Sequence, residues 1–173
     1  SSVENIGIIF LGLGLGLMGV SLNLASMAFL GFCGALFHVI NHALFKAPMF
    51  LISGAVDHST GTRVMRNLGG LAGKMPLVAA LSGVTALALA GLPPLNGFLS
   101  KELFFDSSLN LPFRGAVTYI VPIMAVAGSS MTVVYALRFF HGVFLGAPTP
   151  AVEKAHRVGM GMPFFIGICG IFV

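Results

Sequence analysis

Gly91-Leu92-Pro93-Pro94-Leu95-Asn96-Gly97 lies in the middle of an apolar run that extends from Pro76 to about Ser108. A straight helical crossing of a bilayer needs about 20 residues, and this run is well beyond that. Proline removes a backbone donor and its ring clashes with the preceding turn, so two consecutive prolines between glycines cannot continue a helix. The stretch therefore predicts a discontinuous helix, 76–91 and 97–108, with the break marked by Pro93, Pro94 and Gly97 and an unwound Leu92–Asn96 between the halves.

The surrounding composition says what such a break is embedded in. Of 173 residues, 57% are hydrophobic and 8% are charged, with a mean hydropathy of +0.99. Soluble domains carry about 25% charged residues, which excludes a water-soluble fold, and the apolar content excludes disorder. Two cysteines, Cys33 and Cys169, both inside apolar runs, exclude a disulfide scaffold. The net charge of +4 comes from nine scattered basic residues with no patch or aromatic-interleaved stripe, so no nucleic-acid partner is expected. No Asp, Glu, Lys or Arg occurs between Glu4 and Lys46, Lys74 and Lys101, Arg114 and Arg138, or after Arg157. Three of these gaps exceed the length of a span of about 20 residues.

The expected fold is all-α, a polytopic membrane helix bundle with one discontinuous, Pro-Pro broken helix. Helices are expected at about 4–24, 27–55, 76–91 with 97–108, 115–144 and 159–173, in a single transmembrane domain over 1–173 surrounded by lipid bilayer. A polar loop from Asp57 to Met75 carries Arg63, Arg66 and Lys74, and a loop over 146–158 carries Lys154 and Arg157. Arg114 stands alone on the opposite side. The positive-inside rule places loops 57–75 and 146–158 in the cytoplasm, in a multi-pass protein of the inner (cytoplasmic) membrane. Ser1 opens at the mouth of a helix and Val173 falls within an apolar run, so a portion of a larger subunit is expected.

Few ionisable residues remain at membrane depth. In Phe37-His38-Val39-Ile40-Asn41-His42-Ala43-Leu44-Phe45-Lys46-Ala47-Pro48, His38, His42 and Lys46 recur every fourth residue. Residues at that spacing share a helix face, about 6 Å apart along the axis. A lysine near the bilayer centre costs about 2.5–3.5 kcal/mol on insertion scales, so it must face protein or water. A lysine held there can exchange its proton, and histidine titrates near neutrality. The row reads as a proton relay. Pro48 adds to this by leaving the carbonyl of Leu44 without its helical partner. The alternative is three satisfied structural groups. A metal site is not expected, since His38 and His42 lack an intervening glutamate and a third ligand, and Lys46 repels cations.

Just beyond the break, Gly97-Phe98-Leu99-Ser100-Lys101-Glu102 places a lysine within the span. Broken helices expose half-helix ends and free carbonyls where ions are handled. Lys101 and Glu102 are thus candidates for proton transfer, or else form a charge pair at the far membrane surface. Arg138, with His141 near it, reads as a headgroup anchor. Asp57-His58 and Thr60-Gly61-Thr62-Arg63 read as an ordered polar loop. Gly14-Leu15-Gly16-Leu17-Met18-Gly19 matches a dinucleotide fingerprint, but it lies inside an apolar helix and the next acidic residue is Asp57. With Gly12, these glycines read as close helix packing in lipid. No cofactor ligand set is present.

Six segments together resemble a known family. They are Ser2-Val3-Glu4-Asn5-Ile6-Gly7, Phe37-His38 through Lys46, Thr60-Gly61-Thr62-Arg63, Leu68-Gly69-Gly70-Leu71, Met75-Pro76, and Gly91-Leu92-Pro93-Pro94 through Lys101. In this order they resemble the antiporter-like membrane subunits of respiratory complex I, Mrp-type Na⁺/H⁺ antiporters and membrane-bound group 4 hydrogenases. The resemblance covers nearly the whole chain and corresponds to the C-terminal portion of that family's fourteen-helix core. It implies that Lys46 is the central lysine passing protons along the midplane, that His38 and His42 connect it to neighbouring sites, and that Lys101 leads to an exit half-channel. The family's paired glutamate and lysine on earlier helices have no counterpart here. Val3-Glu4-Asn5-Ile6-Gly7 looks like hydrogenase-4 component B. Ser100-Lys101-Glu102 and Val56-Asp57-His58 look more like the A-type subunits of Mrp antiporters or the large antiporter-like subunit of complex I.

The expected function is proton translocation, with H⁺ or also Na⁺ as the ion, within a redox-driven pump or a cation/proton antiporter. The chain would not be catalytic alone, but one subunit among other membrane subunits of a membrane oxidoreductase or an Mrp-type antiporter. The competing expectation is a non-conducting structural scaffold subunit of the same kind of complex.

Overall fold

The structure is a computed structural model and describes residues 2–109, 111, 115–156, 159 and 161–170. Among the described residues there are seven α-helices and no strand. They are α1 (Ser2–Ser21), α2 (Ala25–Thr60), α3 (Pro76–Ala90), α4 (Asn96–Leu109), α5 (Val117–Phe144), α6 (Pro150–Glu153) and α7 (Gly161–Gly170). Short 3-10 turns occupy Met65–Asn67 and Leu71–Gly73. By length and composition, α1, α2 and α5 suffice to cross a membrane.

The break falls where Gly91 and the prolines predict it. Helix α3 stops at Ala90, Gly91 adopts the left-handed conformation with φ 79°, and α4 starts at Asn96. The unwound segment closes as a turn, with Leu95 N–H donating to the Leu92 carbonyl at 3.0 Å. The halves, 15 and 14 residues long, are each shorter than a bilayer crossing of about 20.

Helix α2 differs from expectation at its end. It continues through Asp57-His58-Ser59 to Thr60 rather than yielding to a polar loop near 55. Polar side chains here leave the apolar layer without leaving the helix, because their bonding groups are satisfied locally. Thr60 Oγ1 donates back to the Val56 carbonyl at 2.8 Å, and the Arg63 guanidinium holds Asp57 at 2.7 Å. What ends the helix is Gly61, at φ 71°, a conformation that costs glycine little. Arg114 and Arg157, expected in loops, and the last residues of the expected 159–173 helix, Ile171–Val173, lie outside the described residues.

The chain divides into two compact units. The first comprises residues 1–42 and 90–133, the second 43–89 and 134–173. In the first, Leu15, Met27, Phe104 and Ala125 form an apolar core contributed by α1, α2, α4 and α5. The approach of α1 to α2 is closer than side chains would permit. A Cβ at Gly19 would lie 2.3 Å from the Ala28 nitrogen, and one at Gly31 would lie 2.5 Å from the Gly16 nitrogen. Gly12, Gly16 and Gly19 thus make the helix contact expected of them, joined by Gly31, whereas Gly14 has nothing within 4 Å. In the second unit, Ile52, Leu71, Val78, Phe144, Val152 and Ile166 form the core.

The surface is apolar. Val3, Phe10, Phe29 and Phe50 are each at least two-thirds exposed, while Asn5, His38, Asn41, Ser100 and Lys101 are buried. In a medium without water this is the expected arrangement, since lipid tails accept apolar side chains and each polar group must find an internal partner.

Candidate functional site

The polar interior of the first unit is organised around His38 on α2. Its ring is 1% exposed and both nitrogens are engaged. Nδ1 lies 2.9 Å from Ser100 Oγ on α4, and Nε2 lies 3.1 Å from Asn5 Oδ1 on α1. The Asn5 amide is oriented by its neighbour, because Nδ2 donates to Glu4 Oε2 at 2.9 Å. Its oxygen therefore faces His38 and can only accept. This fixes the tautomer of the neutral ring: Nε2 carries the hydrogen, and Nδ1 accepts from the Ser100 hydroxyl. The other Glu4 oxygen accepts from the Thr132 hydroxyl of α5. A continuous row, Thr132–Glu4–Asn5–His38–Ser100, thus links four helices of one unit.

Ser100 has a second acceptor. The Gly97 carbonyl, in the first turn of α4, lies 3.2 Å from its oxygen. The hydroxyl can turn between the imidazole and that carbonyl. Nearby, Asn41 Nδ2 donates to the Asn96 carbonyl at 2.9 Å and ties the start of α4 to α2.

Lys101 is 6% exposed, and its ammonium donates to the Ala90 carbonyl at 3.3 Å. Ala90 is the last residue of α3, where carbonyls lack helical partners and a cation is favoured. Gly91 is needed here for two reasons. Its φ is positive, and a Cβ on it would lie 2.9 Å from Lys101 Cδ. Glu102, by contrast, is exposed. Both Lys101 and Glu102 line a cavity of about 370 Å³ with Gly91, Phe98, Ser129 and Ser130.

Helix α2 is uninterrupted through Pro48, so the four-residue spacing of His38, His42 and Lys46 is preserved as successive turns. The spacing drifts by about 40° per step around the axis. Burial changes with it: His38 is buried, while His42 and Lys46 are half-buried. In the second unit, the Lys46 ammonium lies 5.8 Å from the centroid of the Phe50 ring, within range of a cation–π contact. Among the described residues, no group of three His, Cys, Asp or Glu side chains could hold a metal ion.

Asn5, Ser100, Glu4 and Thr132 carry no periodic signal and were not expected in the site. The available clue was solitude: Glu4 and Asn5 are adjacent polar residues at the head of an apolar helix, and Ser100 immediately precedes Lys101.

Comparison with known proteins decides what kind of membrane protein this interior belongs to. Residues 1–132 match the model described as NADH:quinone oxidoreductase/Mrp antiporter, transmembrane. The chain belongs to this family. With three helices among the described residues long and apolar enough to cross a bilayer, it is a multi-pass membrane protein of the antiporter-like kind. It is 41% identical to the A1 subunit of the Na⁺/H⁺ antiporter of Staphylococcus saprophyticus, over all of this chain and 23% of that protein. With the A1 subunit from Staphylococcus aureus it shares 41% identity, over 94% of this chain and 21% of that one. Among solved structures, it is similar to a chain of the membrane-bound sulfane sulfur reductase, an archaeal respiratory membrane complex. There the TM-score is 0.73 at 31% identity, covering 97% of this chain and 30% of that chain. It is also similar to a chain of the Mrp complex from a Dietzia species, with TM-score 0.68 at 29% identity, covering 98% and 19%. The chain spans less than a quarter of the length of the staphylococcal relatives.

Proposed function

We propose that this chain belongs to a proton-translocating, antiporter-like membrane protein in which protons pass along Lys46, His42, His38, Lys101 and Glu102. The observation that carries the reading is the fully buried His38, held at both nitrogens between Asn5 and Ser100. A buried imidazole so held has one nitrogen available for exchange. An amide oxygen is not a base, so Nε2 keeps its hydrogen on Asn5. A proton arriving at Nδ1 makes imidazolium, and the Ser100 hydroxyl then turns its hydrogen to the Gly97 carbonyl, 3.2 Å away. Departure of the proton from Nδ1 restores the first arrangement. His38 thus admits and releases its proton by the side facing Ser100, the residue preceding Lys101. Each lysine alternates between ammonium and amine as the proton moves on.

The name of the staphylococcal relatives favours Na⁺/H⁺ exchange, with H⁺ on this row and Na⁺ as the exchanged ion. The protein works with other membrane subunits in a multisubunit complex of the inner (cytoplasmic) membrane, with loops 57–75 and 146–158 facing the cytoplasm. Arg63, Arg66, Lys74 and Lys154 in these loops support that orientation.

The test is Lys46→Ala in the full-length protein, assembled in its complex. In everted vesicles, Na⁺-dependent collapse of a proton gradient should be abolished or strongly reduced, at complex levels matched on native gels. Full transport by the assembled variant would mean that the row is static and the protein serves only as a scaffold.

A further inference from the structure

The second unit holds a larger concavity that the proton row does not use. It is an open groove of about 1040 Å³ between the 61–75 loop and the C-terminal end of α5, and its lining includes Arg66, Arg138, His141, Gly142, Leu137 and Leu145. The Leu68-Gly69-Gly70-Leu71 segment builds its wall. Gly70 N–H donates to the Leu145 carbonyl at 2.9 Å. A Cβ on Gly69 would lie 2.8 Å from the Ala147 oxygen, and one on Gly70 would lie 3.0 Å from the Pro148 nitrogen. Only paired glycines let the loop backbone lie directly against the 145–148 segment, and Thr149 Oγ1 fastens it by donating to the Asn67 carbonyl at 2.6 Å.

The charge of this concavity is positive. Among the described residues, no carboxylate lies within ion-pair distance of Arg66 or Arg138, whereas Arg63 is paired with Asp57. The site also has a polarity gradient. Arg138 and His141 are exposed in the last two turns of α5, and one turn toward the middle of that helix Val134 and Leu137 are 65% and 54% exposed. Cations at the helix end above an apolar stripe match an anion carrying an apolar tail. Basic pockets at the ends of membrane helices bind anionic headgroups on these terms, and arginine binds phosphate oxygens in a fork that lysine lacks.

We propose that this concavity is a binding site for an anionic phospholipid, with the phosphate between Arg66 and Arg138 and an acyl chain along Leu137 and Val134. The site is independent of the proton row and stands whether or not that row conducts.

The full-length protein in its assembled complex is purified in mild detergent, and co-purifying phosphatidylglycerol, cardiolipin and phosphatidylethanolamine are counted by mass spectrometry. Wild type should retain the anionic lipids selectively. The double variant Arg66→Gln/Arg138→Gln should retain roughly tenfold less or lower, from two lost basic contacts. The pair Arg66→Lys/Arg138→Lys should retain most of it, and Lys154→Gln, which removes a basic residue outside the concavity, should retain all. If the double variant does not assemble, the single Gln variants are each expected to show a partial loss. Equal retention in wild type and the Gln variants would overturn the proposal, as would an equal loss in Lys154→Gln. So would displacement of the lipid by inorganic phosphate alone, which marks a phosphate site, or a protein partner crosslinked at Arg138→Cys with no lipid retained.

Discussion

The two compact units have similar apolar exteriors, and each has an apolar core, but they differ in how much polarity they bury. Among the described residues, the first buries Asn5, His38, Asn41, Ser100, Lys101, Ser107, Ser108 and Thr132 as polar side chains, and the second buries Ser59, Ser82 and Thr85 beside a core that includes Ile52, Leu71, Val78, Phe144, Val152 and Ile166. In hydrocarbon, apolar packing holds helices together by dispersion alone, while a polar interior must close every hydrogen bond among its own members. If protons move as proposed, the polar interior of the first unit serves their transfer and the apolar core of the second serves packing. Substitutions in the polar interior of the first unit should then alter transport more than assembly, and substitutions in the apolar core of the second should do the reverse; Lys46, which lies outside that core, is expected to behave as the first group does.

The sharpest test of that contrast is Lys101→Ala. Transport in everted vesicles should fall to background while the complex assembles at wild-type levels, and loss of assembly together with transport would dissolve the distinction. Next in size is Phe144→Ala, which removes a side chain of 0% exposure from the second unit's core. We expect a loss of about 3–5 kcal/mol in stability, read as a lower thermal midpoint of the purified complex, with transport per assembled complex unchanged. Ser100→Ala should leave assembly intact and slow transport by about tenfold, as expected for one buried hydrogen bond of about 1–2 kcal/mol. Ser100→Thr, which keeps a hydroxyl, should recover part of that rate. A wild-type rate in Ser100→Ala would remove the hydroxyl from the path. The smallest effect is expected from Arg63→Ala. The Asp57–Arg63 pair is at the surface, with the arginine side chain 72% exposed, and such pairs contribute about 1 kcal/mol or less.

The break and the ionisable residues at membrane depth are legible in the sequence, whereas the side chains that hold His38 are not. Glycine and proline act locally, so Gly91, Pro93 and Pro94 announce the end of α3 without knowledge of the rest of the chain. His38, His42 and Lys46 were legible because helical spacing is a local pattern too. The partners of His38 are different: Asn5 is 33 positions away and Ser100 is 62. No periodicity connects residues on separate helices, and a lone asparagine or serine in an apolar run looks like tolerated polarity. The end of α2 was misjudged because polar composition reports contact with water, whereas the helix stops at a backbone feature, Gly61. Leu68-Gly69-Gly70-Leu71 stood out for its resemblance, and its physical reason, a backbone lying against backbone at 145–148, becomes evident only once the two loops are seen together.

The seat of Lys101 is defined by a missing carbon. Its stem crosses the space where a side chain at position 91 would begin, and its ammonium reaches Ala90 only because that space is empty. A single methyl placed there, itself without charge or polarity, would push against the lysine and displace the ammonium from the carbonyl that holds it. An alanine at the turn would then act as a charge-moving substitution, and deficits in ion transfer traced to position 91 would be failures of placement rather than of chemistry.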